Sequence, residues 1–402
     1  MKVLVLNCGS SSLKYQLFDM TTEEVLAKGL VERIGIEGST IKHTKSGQAP
    51  VSTTVEIPNH KVAIRLVTEH LLDPAHGALK SLTELSAVGH RVVHGGEKFA
   101  KSVVIDQEVL DVIEGCVPLA PLHNPANLMG IRAVLEVLPE VPQVAVFDTA
   151  FHQTMPAKAY TYGLPYHYYE ENRLRRYGFH GTSHFYVAYR AAEILGQPVE
   201  NLKIVTCHMG NGSSITAVAN GKSVDTSLGF STVPGILMGT RAGDIDPVMI
   251  LHLMEQEGIS PKAMSHILHK ESGVLGISGI SSDLRDIEEA ASTGNERATL
   301  ALEMLCYGVR KYIGAYAAAM GGIDAIVFTA GIGENSVLVR QMVSEGLDFL
   351  GAKLDMEKNN VRGKERIVST DDSTVKIMVV PTNEELVIAR DKIGRASCRE
   401  RV

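Results

Sequence analysis

Two segments about half a chain apart carry the same pattern of a short apolar strand, a turn of small residues and a second strand. The first pattern occupies residues 2–18 around the turn Cys-Gly-Ser-Ser-Ser, and the second occupies residues 203–218 around the turn His-Met-Gly-Asn-Gly-Ser-Ser. Runs rich in Val, Ile and Leu that flank such turns predict β-hairpins. Because the same hairpin recurs, the sequence indicates a duplicated fold with two related halves.

Helical and extended patterns alternate around these hairpins. Apolar residues at helical spacing predict helices, and continuous apolar runs predict strands. The predicted helices are 60–72, 125–138, 185–195, 295–320 and 382–390, and the predicted strands are 144–147, 325–329 and 376–380. This alternation favours an α/β fold. A stretch rich in Pro and aromatic residues follows the strand at 144–147, so we expect a domain boundary at 148–156.

Composition and charge exclude several classes of protein. Of the 402 residues, 45% are hydrophobic and 21% are charged, as in ordinary globular proteins. The net charge is −7 and no basic block precedes the last few residues, so no nucleic-acid partner is expected. No stretch has the length of a membrane helix, and no signal-peptide pattern opens the chain, so no membrane partner is expected. The five cysteines form no CxxC pair, which favours reduced thiols in a cytoplasmic protein.

Three turns of small residues are candidate anion-binding sites, because exposed backbone N–H groups hold anions. The first contains Ser10, Ser12 and Lys14, which add two hydroxyl groups and a positive charge. The second is 208–214, and the third is 331–335, which lies between a predicted strand and a helical run, where a helix N-terminus suits a nucleotide. Each turn also has an ordinary structural explanation.

The standard nucleotide-binding patterns fail in this sequence. Thr216 stands where a Walker A motif needs its first glycine, and Ser336 stands where a Rossmann motif needs its third. A phosphate site built on a hairpin turn remains.

Four isolated charged residues are further candidates for a site. Arg91 and Arg241 each stand among small residues, where a guanidinium can approach a phosphoryl oxygen closely. Asp148 follows the predicted strand 144–147, and Glu384 opens the last predicted helix. A surface ion pair is the commoner explanation of a lone arginine, and capping of a turn or helix explains lone acids.

His180 and His184 are four residues apart, a spacing that binds zinc when both side chains lie on one helix. Gly181 stands where a metalloprotease has its catalytic glutamate, and it argues against a helix at this point. The sequence offers no obvious third ligand. A zinc hydrolase is therefore retained as an alternative that would need stoichiometric zinc.

Several motifs together resemble the acetate kinase family. They lie in the same order from the start of the chain to about residue 390, at 7–15, 89–96, 146–152, 177–184 and 328–335. The resemblance implies two duplicated ribonuclease-H-like domains of the actin-like ATPase kind, with a nucleotide cleft between them. It implies an N-terminal domain of 1–150 joined by the C-terminal helix 384–393, and a C-terminal domain of 151–383. Residues 394–402 match nothing in the family and stay unassigned.

The resemblance also implies roles for individual residues. The catalytic residues would be Arg91, Asp148, His180 and Arg241. The pocket for acetate would be formed by Arg91, Val93, Leu122, Phe179 and Thr232. ATP or ADP would contact Ser10, Ser12, Lys14, His208, Met209, Gly210, Asn211, Gly212, Asp283, Leu284, Arg285, Gly331, Ile332, Gly333, Glu334 and Asn335. A Mg²⁺ or Mn²⁺ ion would be held by Asn7 and Glu384, and the protein would be a homodimer.

The implied reaction is in-line transfer of the γ-phosphoryl group of ATP to acetate, which gives acetyl phosphate and ADP. A carboxylic acid is already ionised at neutral pH, so the nucleophile needs no general base. Asp148 is therefore expected to organise the metal ion, its waters or Arg241 rather than to take a proton. Thr232 stands where the family commonly has proline, which leaves propionate as an alternative substrate. A non-catalytic ATP-switched scaffold like actin or the chaperones is the alternative from another class.

Overall fold

A computed structural model describes residues 1–396 of the chain. It divides into two compact units, one formed by Met1–Ala150 together with the segment that begins at Asn383, and one formed by Phe151–Thr382. Residues 397–402, which include Cys398 and most of the predicted tail, lie outside the described residues.

The first unit contains an eight-stranded sheet in the order β5-β4-β3-β2-β1-β6-β8-β7. Its strands are β1 (Lys2–Cys8), β2 (Ser12–Asp19), β3 (Glu24–Glu32), β4 (Thr40–Lys45), β5 (Val51–Thr54), β6 (Leu85–Val92), β7 (Val103–Val104) and β8 (Gln143–Phe147). Its first three helices are α1 (His60–Leu72), α2 (Gln107–Gly115) and α3 (Asn124–Val137).

The second unit contains a six-stranded sheet in the order β11-β10-β9-β12-β14-β13. Its strands are β9 (Lys203–Met209), β10 (Ser213–Ala219), β11 (Lys222–Thr226), β12 (Ala325–Thr329), β13 (Arg366–Ile367) and β14 (Lys376–Val379). Its helices are α4 (Ala157–Tyr160), α5 (His167–Asn172), α6 (Gly181–Leu195), α7 (Pro247–Glu257), α8 (Pro261–His266), α9 (Gly273–Ser278), α10 (Leu284–Ser292), α11 (Glu296–Met320), α12 (Ala330–Asn335), α13 (Val337–Ser344) and α14 (Met356–Asn359). The chain ends its described part with α15 (Glu384–Ala396), which belongs to the first unit.

The two sheets share a five-stranded core of the same order and orientation. In the first unit this core is β3-β2-β1-β6-β8, and in the second it is β11-β10-β9-β12-β14. In each, the first strand along the chain pairs antiparallel with its hairpin partner and parallel with a later strand. The duplication predicted from the two hairpins is therefore confirmed.

Helix ends follow local sequence signals. The long helix α11 begins after Asn295, whose side chain accepts a hydrogen bond from the Ala298 amide, and it ends at Gly321, which has a left-handed backbone. Two predictions at helix starts differ from the structure. The helix α6 begins at Gly181 although that glycine argued against a helix, and α12 spans the whole of the predicted third turn, 331–335. Packing against the sheets outweighs the weak propensity of glycine at these positions.

The sheets are covered by apolar helices. In the first unit, α1 and α3 pack residues such as Val67 and Val134 against Leu4 and Leu17 of the sheet. In the second, α11 contributes Leu305, Val309 and Ile313 to the largest cluster of buried side chains. No helix among the described residues combines the length and the hydropathy that a membrane span requires.

Candidate active site

The first unit gathers three predicted site residues at one edge of its sheet. Asn7 lies near the end of β1, Arg91 near the end of β6, and Asp148 directly after β8. These three strands are parallel, with Leu6 opposite His90 and Arg91 opposite Val146. Because the carboxyl ends of parallel strands meet at one edge, side chains that are far apart in sequence come together there.

Arg91 and Asp148 form a two-pronged ion pair. The Nε of Arg91 donates to Oδ1 of Asp148 at 2.9 Å, and its Nη2 donates to Oδ2 at 2.6 Å. Burial alone would lower the pKa of Arg91, but the charges of Asp148 and Glu384 raise it above its usual value. Asp148 therefore orients Arg91 in this structure, and its predicted contact with the metal ion, its waters or Arg241 stays a prediction.

Glu384, the first residue of α15, adds a second carboxylate beside Arg91. Its Oε2 lies 3.9 Å from Nε of Arg91, and its side chain is 19% exposed. Burial raises the pKa of Glu384 to about 7, the charge of Arg91 opposes this rise, and the charge of Asp148 adds to it. The carboxyl group is therefore poised between its neutral and charged forms near neutral pH.

A cavity of about 240 Å³ opens beside these residues within the first unit. Asn7, Lys14, Arg91, Glu384 and Glu385 are among the residues that line it. The cavity thus brings together the predicted metal ligands, the predicted ATP contact and the predicted carboxylate contact.

The oxygen atoms of Asn7 and Glu384 fit a hard divalent cation. Mg²⁺ is bound in proteins by one or two carboxylates and keeps several waters, so it does not need a full cage of side chains. Among the described residues, no group of three or more His, Cys, Asp or Glu could hold a metal ion. A phosphate-bound ion suits this donor set better than a structural metal does.

The first turn of small residues is held by one hydrogen bond within the turn and by two from side chains outside it. The amide of Gly9 donates to the carbonyl of Ser12 at 2.8 Å. Nδ2 of Asn127 donates to the carbonyl of Cys8 at 3.0 Å, and Nε2 of His60 donates to the carbonyl of Gly9 at 2.8 Å. Ser10 is exposed in this turn, and Ser12 opens the next strand.

In the second unit, His180 and Arg241 converge on Gly212. A Cβ atom at Gly212 would lie 3.3 Å from Nη1 of Arg241 and 3.8 Å from Cε1 of His180. His180 precedes α6 with a left-handed backbone at φ +55°, an uncommon conformation for a residue with a side chain. Only a residue without a side chain leaves the space between these two groups open.

Arg241 has no carboxylate partner among the described residues. Its Nη1 donates to the carbonyl of Thr232 at 3.3 Å and contacts Sδ of Met238 at 3.9 Å. Burial lowers the pKa of this guanidinium. A partly buried positive charge without a counter-ion is costly unless an anion binds it. Arg241 is therefore the side chain of this unit best suited to an anionic ligand.

The histidines of the second unit form a hydroxyl-linked cluster rather than a metal site. Nδ1 of His180 and Nε2 of His184 both lie within hydrogen-bond distance of Oγ of Ser214, at 2.9 and 2.7 Å. The His208 ring stacks on the His180 ring with centroids 4.2 Å apart. Both ring nitrogens of His184 bond hydroxyl groups, so the structure gives the zinc hypothesis no support.

The predicted nucleotide segments meet at the edge of the second sheet. His208, near the end of β9, is opposite Thr329 at the end of β12, and a Cβ at Gly210 would lie 3.9 Å from Cβ of Ala330. Gly239, two residues before Arg241, packs directly on the side chain of Asn211. This contact joins the segment that carries Arg241 to the 208–212 turn. The segments 208–212 and 331–335 therefore share one surface.

Some predicted nucleotide contacts are occupied within the protein. Oε1 of Glu334 accepts hydrogen bonds from the amides of Ala330 at 2.7 Å and Thr382 at 3.1 Å. Asp283 caps α10 and forms an ion pair with Arg285, whose side chain is 89% exposed. Glu334 thus supports the turn from inside, while Arg285 extends into solvent.

The residues predicted to form the acetate pocket differ in their exposure to solvent. Val93 is 7% exposed, Phe179 is 3% exposed, and Leu122 is 63% exposed. Thr232 is partly buried and presents its carbonyl to Arg241.

Sequence reasoning missed the residues that support the site from behind. Asn124 and Asn127 of α3 are buried, and their Oδ1 atoms accept from the amides of His94 and Val93 at 3.1 and 3.0 Å. Buried Arg340 donates to the carbonyl of Gly333 at 2.9 Å, which holds the 331–335 segment. The available signal was Asn127 within the predicted helix 125–138 and Asn124 directly before it, because buried amides need partners.

Comparisons with known proteins agree over nearly the whole chain. The sequence model of the acetokinase family matches residues 2–390. Acetate kinase of Carboxydothermus hydrogenoformans is 63% identical over 393 residues, with 98% of each chain covered. Acetate kinase of Caldanaerobacter subterraneus subsp. tengcongensis is 62% identical over 392 residues, with 97% of this chain and 98% of the relative covered.

Solved structures give the same result. The crystal structure of Porphyromonas gingivalis acetate kinase superimposes with a TM-score of 0.95 at 52% identity and covers 98% of this chain and 99% of its own. A propionate kinase from Francisella tularensis subsp. tularensis superimposes with a TM-score of 0.91 at 41% identity and covers 97% and 98%.

Proposed function

This chain belongs to the acetokinase family and has its actin-like ATPase fold, and on that premise we propose that it transfers the γ-phosphoryl group of ATP to acetate, giving acetyl phosphate and ADP reversibly. Arg241 is the observation that carries the proposal. It is a partly buried guanidinium that lacks a carboxylate partner among the described residues and lies beside Gly212 and His180. The similarity to relatives named acetate kinase supports acetate as the acceptor.

Phosphoryl transfer to acetate requires alignment of the two reactants and stabilisation of their charge, and it does not require a general base. The attacking acetate oxygen is ionised at neutral pH, so no proton has to be removed from it. Two anions must approach each other, and Arg91, Arg241 and His180 supply positive charge and hydrogen bonds that offset their repulsion. Asp148 keeps the Arg91 fork in one orientation, through Nε and Nη2.

Asn7 and Glu384 would hold the divalent cation that accompanies ATP. When bound, this ion would neutralise charge on the phosphate oxygens. Lys14, which lines the same cavity, adds a positive charge beside them.

The segments 208–212, 283–285 and 331–335 bind the nucleotide in this proposal. Backbone N–H groups of the glycine turns suit phosphate oxygens. The support is that the first and third segments end adjacent parallel strands and share one surface.

We also propose a homodimer in the cytoplasm. The helix α7 has no buried residue although it is rich in apolar side chains. Its Val248 and Leu251 are 68% and 64% exposed. Exposed apolar residues on one helix are typical of a protein interface. The four cysteines within the described chain are free and buried, as suits a reducing compartment.

The deciding experiment measures acetyl phosphate by trapping it as hydroxamate with hydroxylamine. Product should appear only when ATP, acetate and Mg²⁺ are all present, and Arg241→Gln should lose most of the activity. The matched control is Arg132→Gln, which changes an arginine that is 53% exposed and pairs with exposed Glu114, neither of which belongs to the predicted site. ATP binding without acetate-dependent product would favour the non-catalytic scaffold, and faster turnover of propionate than of acetate would make propionate the substrate.

A further inference from the structure

A single hydroxyl group stands between two histidine rings of the second unit. Oγ of Ser214 lies 2.9 Å from Nδ1 of His180 and 2.7 Å from Nε2 of His184. The other nitrogen of His184, Nδ1, lies 2.7 Å from Oγ1 of Thr206. The four side chains therefore form one line of hydrogen bonds, and a serine hydroxyl carries only one hydrogen to share between two rings.

His184 is neutral in this line. It is fully buried, and burial, with the charges of His152 and His208, lowers its pKa well below the usual value. A neutral imidazole has one N–H donor and one acceptor nitrogen. One of its two hydroxyl partners must therefore receive a hydrogen from the ring, and the other must donate one to it.

Two arrangements of the hydrogens satisfy this condition. In the first, Nδ1–H of His184 donates to Thr206 and Ser214 donates to Nε2 of His184, so Oγ of Ser214 must accept from Nδ1–H of His180. In the second, every direction is reversed. Ser214 then donates to Nδ1 of His180, and a neutral His180 carries its hydrogen on Nε2.

The hydroxyl of Thr206 favours the first arrangement. Its Oγ1 lies 3.4 Å from the carbonyl oxygen of Thr216, to which it can donate once Nδ1–H of His184 donates to it. In the second arrangement the hydroxyl of Thr206 donates its hydrogen to Nδ1 of His184, so it can no longer donate to the carbonyl of Thr216. The first is also the one in which His180 can become an imidazolium, because both ring nitrogens then donate and Ser214 must accept.

We propose that Ser214 and His184 are positioning residues that keep the hydrogen of neutral His180 on Nδ1. The inference rests on the proposed function for its consequence. A ring held in one tautomer keeps one orientation beside Arg241 and Gly212, where the phosphoryl group is proposed to bind.

The tautomer can be observed without any assay of activity. Full-length protein labelled with ¹⁵N-histidine is recorded by long-range ¹H–¹⁵N correlation at a pH where His180 is neutral, and His180→Gln assigns the ring by the loss of its signals. The expected result is the pattern of a ring protonated on Nδ1. A ring protonated on Nε2 would overturn the proposal, and neither result depends on whether acetate is the substrate.

Kinetics separate positioning from a general structural role. Ser214→Ala should lower kcat by about 10- to 100-fold, the loss typical when an orienting partner of a functional histidine is removed, and change KM for acetate and ATP less than about twofold. In a His180→Gln background the same change should cost less than about twofold, since coupled residues are non-additive. An equal loss in both backgrounds, or full activity of Ser214→Ala, would contradict the proposal.

Thr216→Val is the matched control. Thr216 lies two residues further along β10, and its buried hydroxyl bonds Oγ1 of Thr226 at 2.8 Å rather than a histidine. Loss of this hydroxyl should leave kcat and the His180 tautomer unchanged. A fall in kcat as large as that of Ser214→Ala would show that any buried hydroxyl of this strand matters, which would also overturn the proposal.

Discussion

Arg91 and Asp148 are 57 residues apart in the sequence and joined by two hydrogen bonds, at 2.9 and 2.6 Å, in the structure. Asp148 is 1% exposed and uses both carboxylate oxygens on this one guanidinium. Nη1 of Arg91 makes no hydrogen bond within the described part of the chain, so it remains available for the carboxylate of a ligand. The pair therefore combines a structural role for two nitrogens with a binding role for the third.

Removal of Arg91 is expected to cost stability as well as activity. In Arg91→Met, Asp148 would be a buried carboxylate without a partner, a change that costs about 3 kcal/mol of unfolding free energy. The double variant Arg91→Met/Asp148→Asn should recover most of that loss and none of the activity. Urea unfolding and the hydroxamate assay measure the two effects. Equal stability of Arg91→Met and the double variant would contradict the role given to the pair.

The opposite result is expected for Arg241. Arg241→Met removes a partly buried cation that has no carboxylate partner within the described residues, so the free energy of unfolding should stay constant or rise. Activity should fall by roughly 100-fold or more, as when a donor to a developing charge is removed. Thermal melts with and without ATP would show the contrast with Arg91→Met. A loss of stability similar to that of Arg91→Met would mean that Arg241 has a structural anionic partner.

Chain-length selectivity should depend on Val93. Val93→Ala removes two methyl groups from a buried side chain in the proposed pocket, so kcat/KM for propionate relative to acetate should rise by roughly tenfold. Val92→Ala is a control of the same type, because Val92 is buried in the cluster with Ile105 and Ile131 instead. Steady-state kinetics with acetate, propionate and butyrate test this. Unchanged ratios in Val93→Ala would place the selectivity elsewhere, with Thr232 as the next candidate.

The proposed homodimer gives a prediction that is independent of catalysis. Leu251→Glu places a charge on an exposed apolar residue of α7 and should convert a dimer into a monomer at micromolar concentration. Phe349→Glu changes a residue that is 77% exposed on another segment and should leave the dimer intact. Sedimentation velocity measures the mass of each variant. A Leu251→Glu protein that stays dimeric would exclude α7 as the interface.

Much of the fold follows from local sequence. The two hairpins, the strand 144–147 and the limits of α11 were predicted because turn glycines, apolar runs and a capping asparagine act over a few residues. The positions of Arg91 and Asp148 at strand ends also followed from local pattern and from the family resemblance.

The partnerships within the site did not follow, because register and packing set them over long distances. Asp148 lies beside Arg91 since β6 and β8 are neighbours in the sheet, a fact that no local pattern contains. Glu334 stands in a predicted nucleotide segment, yet its carboxylate supports the amides of Ala330 and Thr382. Asn127 was overlooked because its role, to bond the ends of two strands, appears only when the helix is packed on the sheet.

Glu384 should make the protein less stable as pH rises. Burial raises the pKa of this carboxyl group from 4.5 to about 7 in the folded chain, so between these two values the folded state binds a proton that the unfolded state has released. Stability is therefore lost with increasing pH across this window, by at most roughly 3 kcal/mol. Glu384→Gln cannot release a proton and avoids this loss.

Urea unfolding from pH 4.5 to 8.5, without nucleotide or metal, tests this dependence of stability on pH. It compares Glu384→Gln with the unchanged protein. The two should have similar free energies of unfolding near pH 4.5, and the variant should become more stable as pH approaches 7, with a constant difference above it. Glu108→Gln, which changes a carboxylate that is 77% exposed, should show no such trend. Glu384→Gln should also lose most of its activity, since an amide is a weaker ligand for Mg²⁺ than a carboxylate. A difference in stability that is the same at every pH would show that Glu384 is charged throughout and that Arg91 holds its pKa near the ordinary value.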